Sequence, residues 1–268
     1  MDTEKKGFIS KIFYGFLFLF YLKGRKPTES LKRAQSWRGI FWVVIAALSI
    51  RSFLAEPYNI PSSSMYPTLH IGDYLFISKY DYGFSRHSFP FSVPIIPKGR
   101  IFESLPKQGD VVVFRNPNNM KQDYIKRVIA LGGDTVQMIK GRLFINGKMV
   151  PRVFKKTEFV TTEAGEQEFK RYTEILPNGV LHDIYEVSDE TISDDTDIFV
   201  VPENSFFAMG DNRDNSQDSR FFGAVPLVNL EGRARFIFYS NKDKDTWFFQ
   251  FWNWKDSLQF HRFFSVIK

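Results

Sequence analysis

Hydrophobic positions fall into two regimes along the chain. Residues 12–22 (IFYGFLFLFYL) and 39–50 (GIFWVVIAALSI) are continuous apolar stretches, separated by a basic segment, 23–38. From Tyr58 to about Ser240 the apolar residues come instead in short runs: 74–78, 111–114, 124–131, 142–145, 198–201 and 233–239. These runs are β-branched or aromatic and mostly bounded by Gly, Asp, Asn or Pro, which predicts strands. Asn146-Gly147 after Leu143-Phe144-Ile145 predicts a type I′ hairpin, and Gly132-Gly133-Asp134 a further turn. No helical period is sustained there, so the expected class is mainly β, with a core in the barrel or sandwich style.

The stretch 39–50 has 12 residues before Arg51, whereas spanning a bilayer takes ~20, or ~17 at the short end. Arg51 can snorkel, which extends the stretch to Ala55, and Trp37 and Trp42 stand near its start as interfacial anchors. A transmembrane anchor helix over 39–55 is therefore expected, a buried or surface-lying helix being the competing reading. Residues 12–22 are rich in Phe and Tyr and read as an interfacial stretch, with a second spanning helix left open. The segment 23–38 carries six Lys/Arg and one Glu, which puts it on the cytoplasmic side and the chain after the anchor outside. Phe53 stands two positions before Ala55, where cleavage after a signal sequence needs a small residue, so the anchor reads as uncleaved.

The expected division is thus a basic cytoplasmic segment (1–38), the anchor (39–55), a β core (56–137 with 200–240), an inserted β subdomain (138–199) and an aromatic C-terminal segment (241–268). The insertion is acidic and polar, with a mobile loop expected near 161–167. The tail 247–267 reads as a packing segment closing one end of the core, or as an aromatic belt touching lipid. The stretch 84–97, rich in Phe, Pro and Ile, is open between a core-covering loop and a lipid contact.

Composition narrows the chemistry. The 268 residues include no cysteine, which removes thiol catalysis, zinc ribbons, iron–sulfur clusters and disulfides. The formal charge of +6 is unevenly placed, since residues 1–51 hold ten Lys/Arg against three acidic residues. The rest of the chain is close to neutral. A nucleic-acid binder carries its basic surplus on the folded domain, so no nucleic-acid partner is expected.

Three segments carry candidate chemistry. In 61–69 (PSSSMYPTL) two prolines bracket three serines, a stiffened loop that holds hydroxyls in place. A serine nucleophile needs a base. His70, His87, His182 and His261 lie in no triad context and no Gly-x-Ser-x-Gly occurs, so each reads as a surface or structural residue. Neutral lysine is the other base of serine enzymes. Ser104-Leu-Pro-Lys107 matches Ser-x-x-Lys only in its letters, because Pro106 breaks the helix that pair would share.

Lys126, in 123–131 (DYIKRVIAL), is a better candidate. As a strand residue it shares a mainly apolar face with Tyr124, Val128 and Ala130, while Arg127 points the other way with Ile125 and Ile129. Such a lysine is either an edge-strand guard against aggregation or an amine of lowered pKa. Lowering it from ~10.4 to near 7 corresponds to roughly 4 kcal/mol of desolvation. Arg127 cannot act as a base, because guanidinium stays protonated. The third segment, 210–220 (GDNRDNSQDSR), resembles a calcium loop in the alternation of Asp214, Ser216 and Asp218. It lacks the sixth-place Gly and twelfth-place Glu of the EF-hand. A rigid loop tied by Asp–Arg pairs is expected instead, able to orient a lysine amine through a serine hydroxyl. No metal or other cofactor is expected.

Taken in order, Pro-Ser-Ser-Ser-Met-Tyr-Pro-Thr-Leu (61–69), Gly-Asp-Tyr-Leu-Phe-Ile-Ser-Lys (72–79), Gly-Asp-Val-Val-Val-Phe (109–114), Asp-Tyr-Ile-Lys-Arg (123–127) and Gly-Asp-Asn-Arg-Asp-Asn-Ser-Gln-Asp-Ser-Arg (210–220) resemble the boxes of bacterial type I signal peptidases. The resemblance covers nearly everything after Gly39. It implies a membrane-bound serine endopeptidase with a Ser/Lys dyad that removes signal peptides from exported preproteins. It also implies a location in the bacterial inner (cytoplasmic) membrane, with the catalytic domain outside and the phospholipid bilayer as a partner. Ser64 matches the family's nucleophile, Lys126 its general base, and Ser62 the oxyanion-hole hydroxyl that acts with the Ser64 backbone N–H. Ser216 matches the lysine-orienting serine, and Asp218 and Arg220 a supporting ion pair. Ile60, Pro61, Met65 and Ile125 match substrate-binding positions for small side chains. Ser63 departs from the family's frequent Gly. The competing reading is a non-catalytic membrane-anchored β domain that binds exported chains.

Overall fold

The computed structural model describes residues 37–45, 55–84, 99–162, 165–242 and 257–267. The chain divides into two compact units, residues 1–47 and 48–268. In the first, residues 37–45 are helical, and Trp37, Phe41, Trp42 and Val43 are exposed. No helix among the described residues is long and apolar enough to cross a membrane. The expected span over 39–55 lies partly outside the described residues, as do the whole of 12–22 and most of 84–97. Ala55, its expected last residue, already opens a strand.

The second unit is mainly β, as the short β-branched runs imply. Its strands are β1 (Ala55–Asn59), β2 (Asp73–Ser78), β3 (Val111–Asn116), β4 (Asn119–Leu131), β5 (Thr135–Ile139), β6 (Arg142–Ile145), β7 (Lys148–Met149) and β8 (Arg152–Thr162). They continue with β9 (Gly165–Ile175), β10 (Leu181–Glu186), β11 (Phe199–Val200), β12 (Ser205–Met209), β13 (Val225–Pro226), β14 (Leu230–Ser240) and β15 (Ser265–Val266). The largest sheet runs β1-β2-β14-β3-β4-β12-β13, with β15 added to β14. Among the described residues its core does not close into a barrel, one of the two forms expected. The path is open, and both outer strands carry a proline, Pro57 and Pro226, that lacks the N–H a further partner would need.

Residues 135–200 form two smaller sheets, β11-β5-β6-β7 and β10-β9-β8. The hairpin at Asn146-Gly147 has both residues at positive φ, 52° and 71°, as a type I′ turn requires. The mobile loop expected near 161–167 is instead the tip of a long hairpin, with strand pairing running out to Thr162↔Gly165. Its sequence hid this because β9 opens on four exposed residues, Gly165 to Glu168, with no apolar alternation.

Apolar side chains collect in three clusters. One, with Ile60, Met65, Leu69, Leu75 and Val113, lies under the serine loop. A second packs Val112, Phe114, Val128 and Phe206, and a third joins Ile129 and Phe207 to Met138 and Leu143 of the small sheet. Burial of a Leu, Ile, Phe or Met contributes about 1.5–3 kcal/mol each, so strand β4, which feeds the last two clusters, is firmly held. In the tail, the segment ending in β15 packs on β14 and inserts Ile267 into the first cluster.

Candidate active site

The serine loop leaves β1 and is fixed from below by Met65 and Leu69, both 0% exposed. Its turns are closed by Tyr66 N donating to Ser63 O (3.0 Å) and Leu69 N to Met65 O (2.8 Å). From the side, Asn212 donates its backbone N–H to Ser64 O (3.1 Å) and its amide to Ser63 O (3.1 Å), and Asn215 Nδ2 donates to Ser63 Oγ (2.9 Å). The loop is therefore tied to the 210–220 segment through backbone atoms, which sets the direction of its hydroxyls.

Strand β4 delivers Lys126 to this loop. Its Nζ lies 2.6 Å from Ser64 Oγ and 3.0 Å from the carbonyl oxygen of Ile125, and 5.5 Å from the Tyr124 ring centre. Ser64 is 8% and Lys126 4% exposed. Burial pulls the lysine down from its ordinary 10.5 to about 8, with Asp218 and Asp211 opposing and Arg220 assisting. Ser62 Oγ is 3.4 Å from Ser64 Oγ. A groove of about 520 Å³ opens over the pair and is lined by Tyr58, Ile60, Pro61, Ser62, Val113 and Ile125, among others. Met65 is absent from that lining, because its side chain is wholly inside the core beneath the loop.

The 210–220 segment lies against this pair. Asp218, 0% exposed, accepts from Gly210 N (3.0 Å), caps the helical turn Ser219–Phe222 and receives Arg220 Nε at 3.0 Å. Burial would raise its carboxyl, but Arg220 outweighs that and holds it low. The Ser216 hydroxyl is buried and has no hydrogen-bond partner of good geometry among the described residues. It lies close enough to Asp218 to help lower that carboxyl, but a contact to Lys126 is not among its bonds. Gly210 is required here, since a Cβ would sit 2.3 Å from Ser216 Oγ and 2.5 Å from Ser64 O.

A buried charge network escaped sequence reasoning. Arg127, 0% exposed, grips Asp211 with two bonds of 2.8 and 2.7 Å and donates to Gly109 O at 2.8 Å. Burial would raise Asp211, yet the Arg127 guanidinium holds it far below the usual carboxylate range. His182 lies between Asp211 (3.4 Å) and Glu174 (3.3 Å), and Glu174 is gripped in turn by Arg213. The signal for this network was present in part, as an arginine on the buried face of β4 and a loop dense in Asp and Arg. Of the other histidines, His70 is driven down to about 4 by burial and then Arg262, His261 is exposed, and His87 lies outside the described residues. Among the described residues, the one trio of metal-capable side chains, Glu186, Asp194 and Asp214, excludes Ser64 and Lys126.

The family model described as signal peptidase, peptidase S26, matches residues 33–239. A protein named signal peptidase I from Rickettsia canadensis (strain McKiel) is 41% identical over 226 residues, covering 81% of this chain and 84% of that one. The signal peptidase I of Rickettsia conorii (strain ATCC VR-613 / Malish 7) is 42% identical, with the same 81% and 84% coverage. A solved signal peptidase I from Enterococcus faecalis V583 is 26% identical, covering 48% of this chain and 97% of that one, at a TM-score of 0.29 that adds nothing to the fold assignment. The chain belongs to the signal peptidase family, peptidase S26. It is therefore a peptidase.

Proposed function

We propose that this protein is a membrane-bound serine endopeptidase that removes signal peptides from exported preproteins, with Ser64 as nucleophile and neutral Lys126 as general base. The observation that carries the reading is the 2.6 Å separation of Lys126 Nζ and Ser64 Oγ, both side chains being buried. Neutral Lys126 takes the Ser64 proton as Oγ attacks the scissile carbonyl. The oxyanion that forms is held by the Ser62 hydroxyl and the Ser64 backbone N–H, donors aimed at developing charge. Lys126 then returns the proton to the leaving amine, which becomes the new amino terminus of the mature chain. Water repeats the sequence on the acyl-enzyme and frees the signal peptide. Asp218 and Arg220 hold the 210–220 segment against the dyad, and Ser216 orients the amine once substrate closes the groove.

The extended stretch before the cut adds as a strand along the groove between β1 and β4, whose exposed backbone supplies the hydrogen bonds. Ile60 and Ile125 line that groove, with Pro61 at its rim, and limit it to small side chains. The N-terminal apolar stretches and the basic segment 23–38 anchor the enzyme in the bacterial cytoplasmic membrane with its β unit outside. Ser64 is ten residues from Leu54, at most ~35 Å of extended chain, so the nucleophile works near the bilayer surface.

The test is cleavage of a preprotein by the wild type, Ser64→Ala and Lys126→Arg, with folding followed by circular dichroism. Both variants should fold and lose nearly all turnover. Appreciable cleavage by Lys126→Arg would end the neutral-base reading, because guanidinium does not deprotonate.

A further inference from the structure

Three carboxylates from separate parts of the chain converge behind the 210–220 segment. Glu186 ends β10, Asp194 lies in the loop that follows, and Asp214 sits in the short 3-10 turn Arg213–Asn215. One oxygen from each lies within 4.8 Å of the other two. Glu186 and Asp194 are 1% and 0% exposed, so water does not screen them.

Most of their oxygens are engaged. Glu186 Oε1 accepts from Arg152 Nη1 (3.1 Å), and Asp194 Oδ2 from the Thr191 amide (2.6 Å). Asp214 accepts from the amides of Val187 (2.6 Å) and Ser188 (3.1 Å) and from the Thr191 hydroxyl (3.0 Å). Left over are Glu186 Oε2 and Asp194 Oδ1, both buried and without a hydrogen-bond partner among the described residues. An orphaned buried carboxylate oxygen forfeits its hydration with nothing in return. The neighbouring guanidiniums supply only part of the balancing charge: Arg152 is shared between Glu186 and Asp189, Arg213 is paired with Glu174 and Arg220 with Asp218.

We propose that Glu186, Asp194 and Asp214 form a binding site for a hard divalent cation, Ca²⁺ foremost, that clamps the end of β10 to the segment carrying Ser216 and Asp218. The donor set is oxygen alone, which suits such ions and not softer metals. Calcium–oxygen bonds of roughly 2.3–2.6 Å place any two ligands on one ion no more than about 5 Å apart, so the carboxylates need little movement. The Thr191 hydroxyl, which donates to Asp214, adjoins the cluster, whereas Ser193 Oγ already accepts from Arg220 Nη1 (3.1 Å). Thr191 Oγ1 and water can fill the remaining coordination. Asp214 also lines a groove of about 490 Å³ beside the serine loop.

A proton is the competing occupant. Burial, with Asp214 and Asp194 adding to it and Arg213 and Arg152 opposing, pushes Glu186 up to about 8 when no cation is bound. The cation site is independent of the Ser64–Lys126 reading, so its test does not use cleavage.

The full chain in detergent micelles, freed of metal with a chelator, is dialysed against Ca²⁺ at neutral pH and then melted with and without the ion. Wild type should retain one Ca²⁺ per chain, and Tm should rise by roughly 5–10 °C at a hundredfold excess over Kd. Glu186→Gln, which keeps the side chain's shape and mimics its protonated form, and Asp194→Asn should each lose the bound ion and the Ca²⁺-dependent rise. If wild type retains no more Ca²⁺ than Glu186→Gln and melts at the same temperature with or without it, the site does not exist. The cluster is then a carboxyl–carboxylate pair sharing a proton.

Discussion

Replacing Lys126 with Met should abolish cleavage and stabilise the protein, by an amount that depends on pH. Met keeps the unbranched stem and removes the amine. The folded chain holds Lys126 near 8, chiefly through burial, against an ordinary 10.5. At 1.36 kcal/mol per pH unit, that gap amounts to about 3 kcal/mol. The sign follows from proton binding. Between 8 and 10.5 the unfolded chain keeps the lysine proton and the folded chain has shed it, so wild-type stability rises with pH. Below 8 both forms are charged and the full penalty stands; above 10.5 both are neutral and it is gone. The variant lacks the penalty at every pH. Its advantage over wild type should therefore be larger at pH 7 than at pH 10.5 by about 3 kcal/mol, roughly 6–12 °C in Tm. The hydrogen bonds lost from Nζ offset part of the gain, but neutral lysine keeps them too, so they cancel between the two pH values. Thermal melts of both full-length proteins in the same detergent at the two pH values read this directly. A Tm difference that does not change with pH would refute the reasoning, because Lys126 would then be carrying no desolvation penalty.

Other expectations follow from the same geometry. The kcat/KM of the wild type should rise about tenfold per pH unit up to about pH 8 and then level, tracking neutral Lys126; a flat profile from pH 6 to 9 counts against it. Ser62→Ala should lower kcat by ~100- to 1,000-fold with Tm nearly unchanged, since Ser62 is exposed; full activity would remove it from the oxyanion hole. Gly210→Ala should cut kcat more than it raises KM, because its Cβ would press within 2.5 Å of Ser64 O; wild-type kcat would mean the loop yields freely. Asp211→Asn leaves the wholly buried Arg127 without its carboxylate and should cost about 3–5 kcal/mol, read as a fall in Tm; an unchanged Tm would show that the pair is not needed.

How much of this was legible in the sequence depended on whether the deciding contacts were local. Strands whose side chains alternate against a core announce themselves: the run at 142–145 is β6 with the same bounds, and that at 74–78 is β2 less its first residue. The hairpin of β8 and β9 did not, because it is held by its ladder and by half-buried charge pairs such as Arg171–Glu158 instead of an apolar face. The site divides in the same way. The serine loop and the lysine on an apolar strand face are each written within nine residues, and so is the direction of the lysine's shift. Its size is not local. Burial lowers the amine, Asp218 and Asp211 restore part of the charged form, and Lys126 stands at about 8. Those carboxylates lie more than eighty residues away, and Asp211 is itself fixed by Arg127 across 84 positions. The three carboxylates of the cation cluster show the same limit, since only the fold brings Glu186 and Asp194 to Asp214. Reacting groups sit on short segments whose patterns can be read one at a time. The field that tunes them is assembled from partners that no single segment contains.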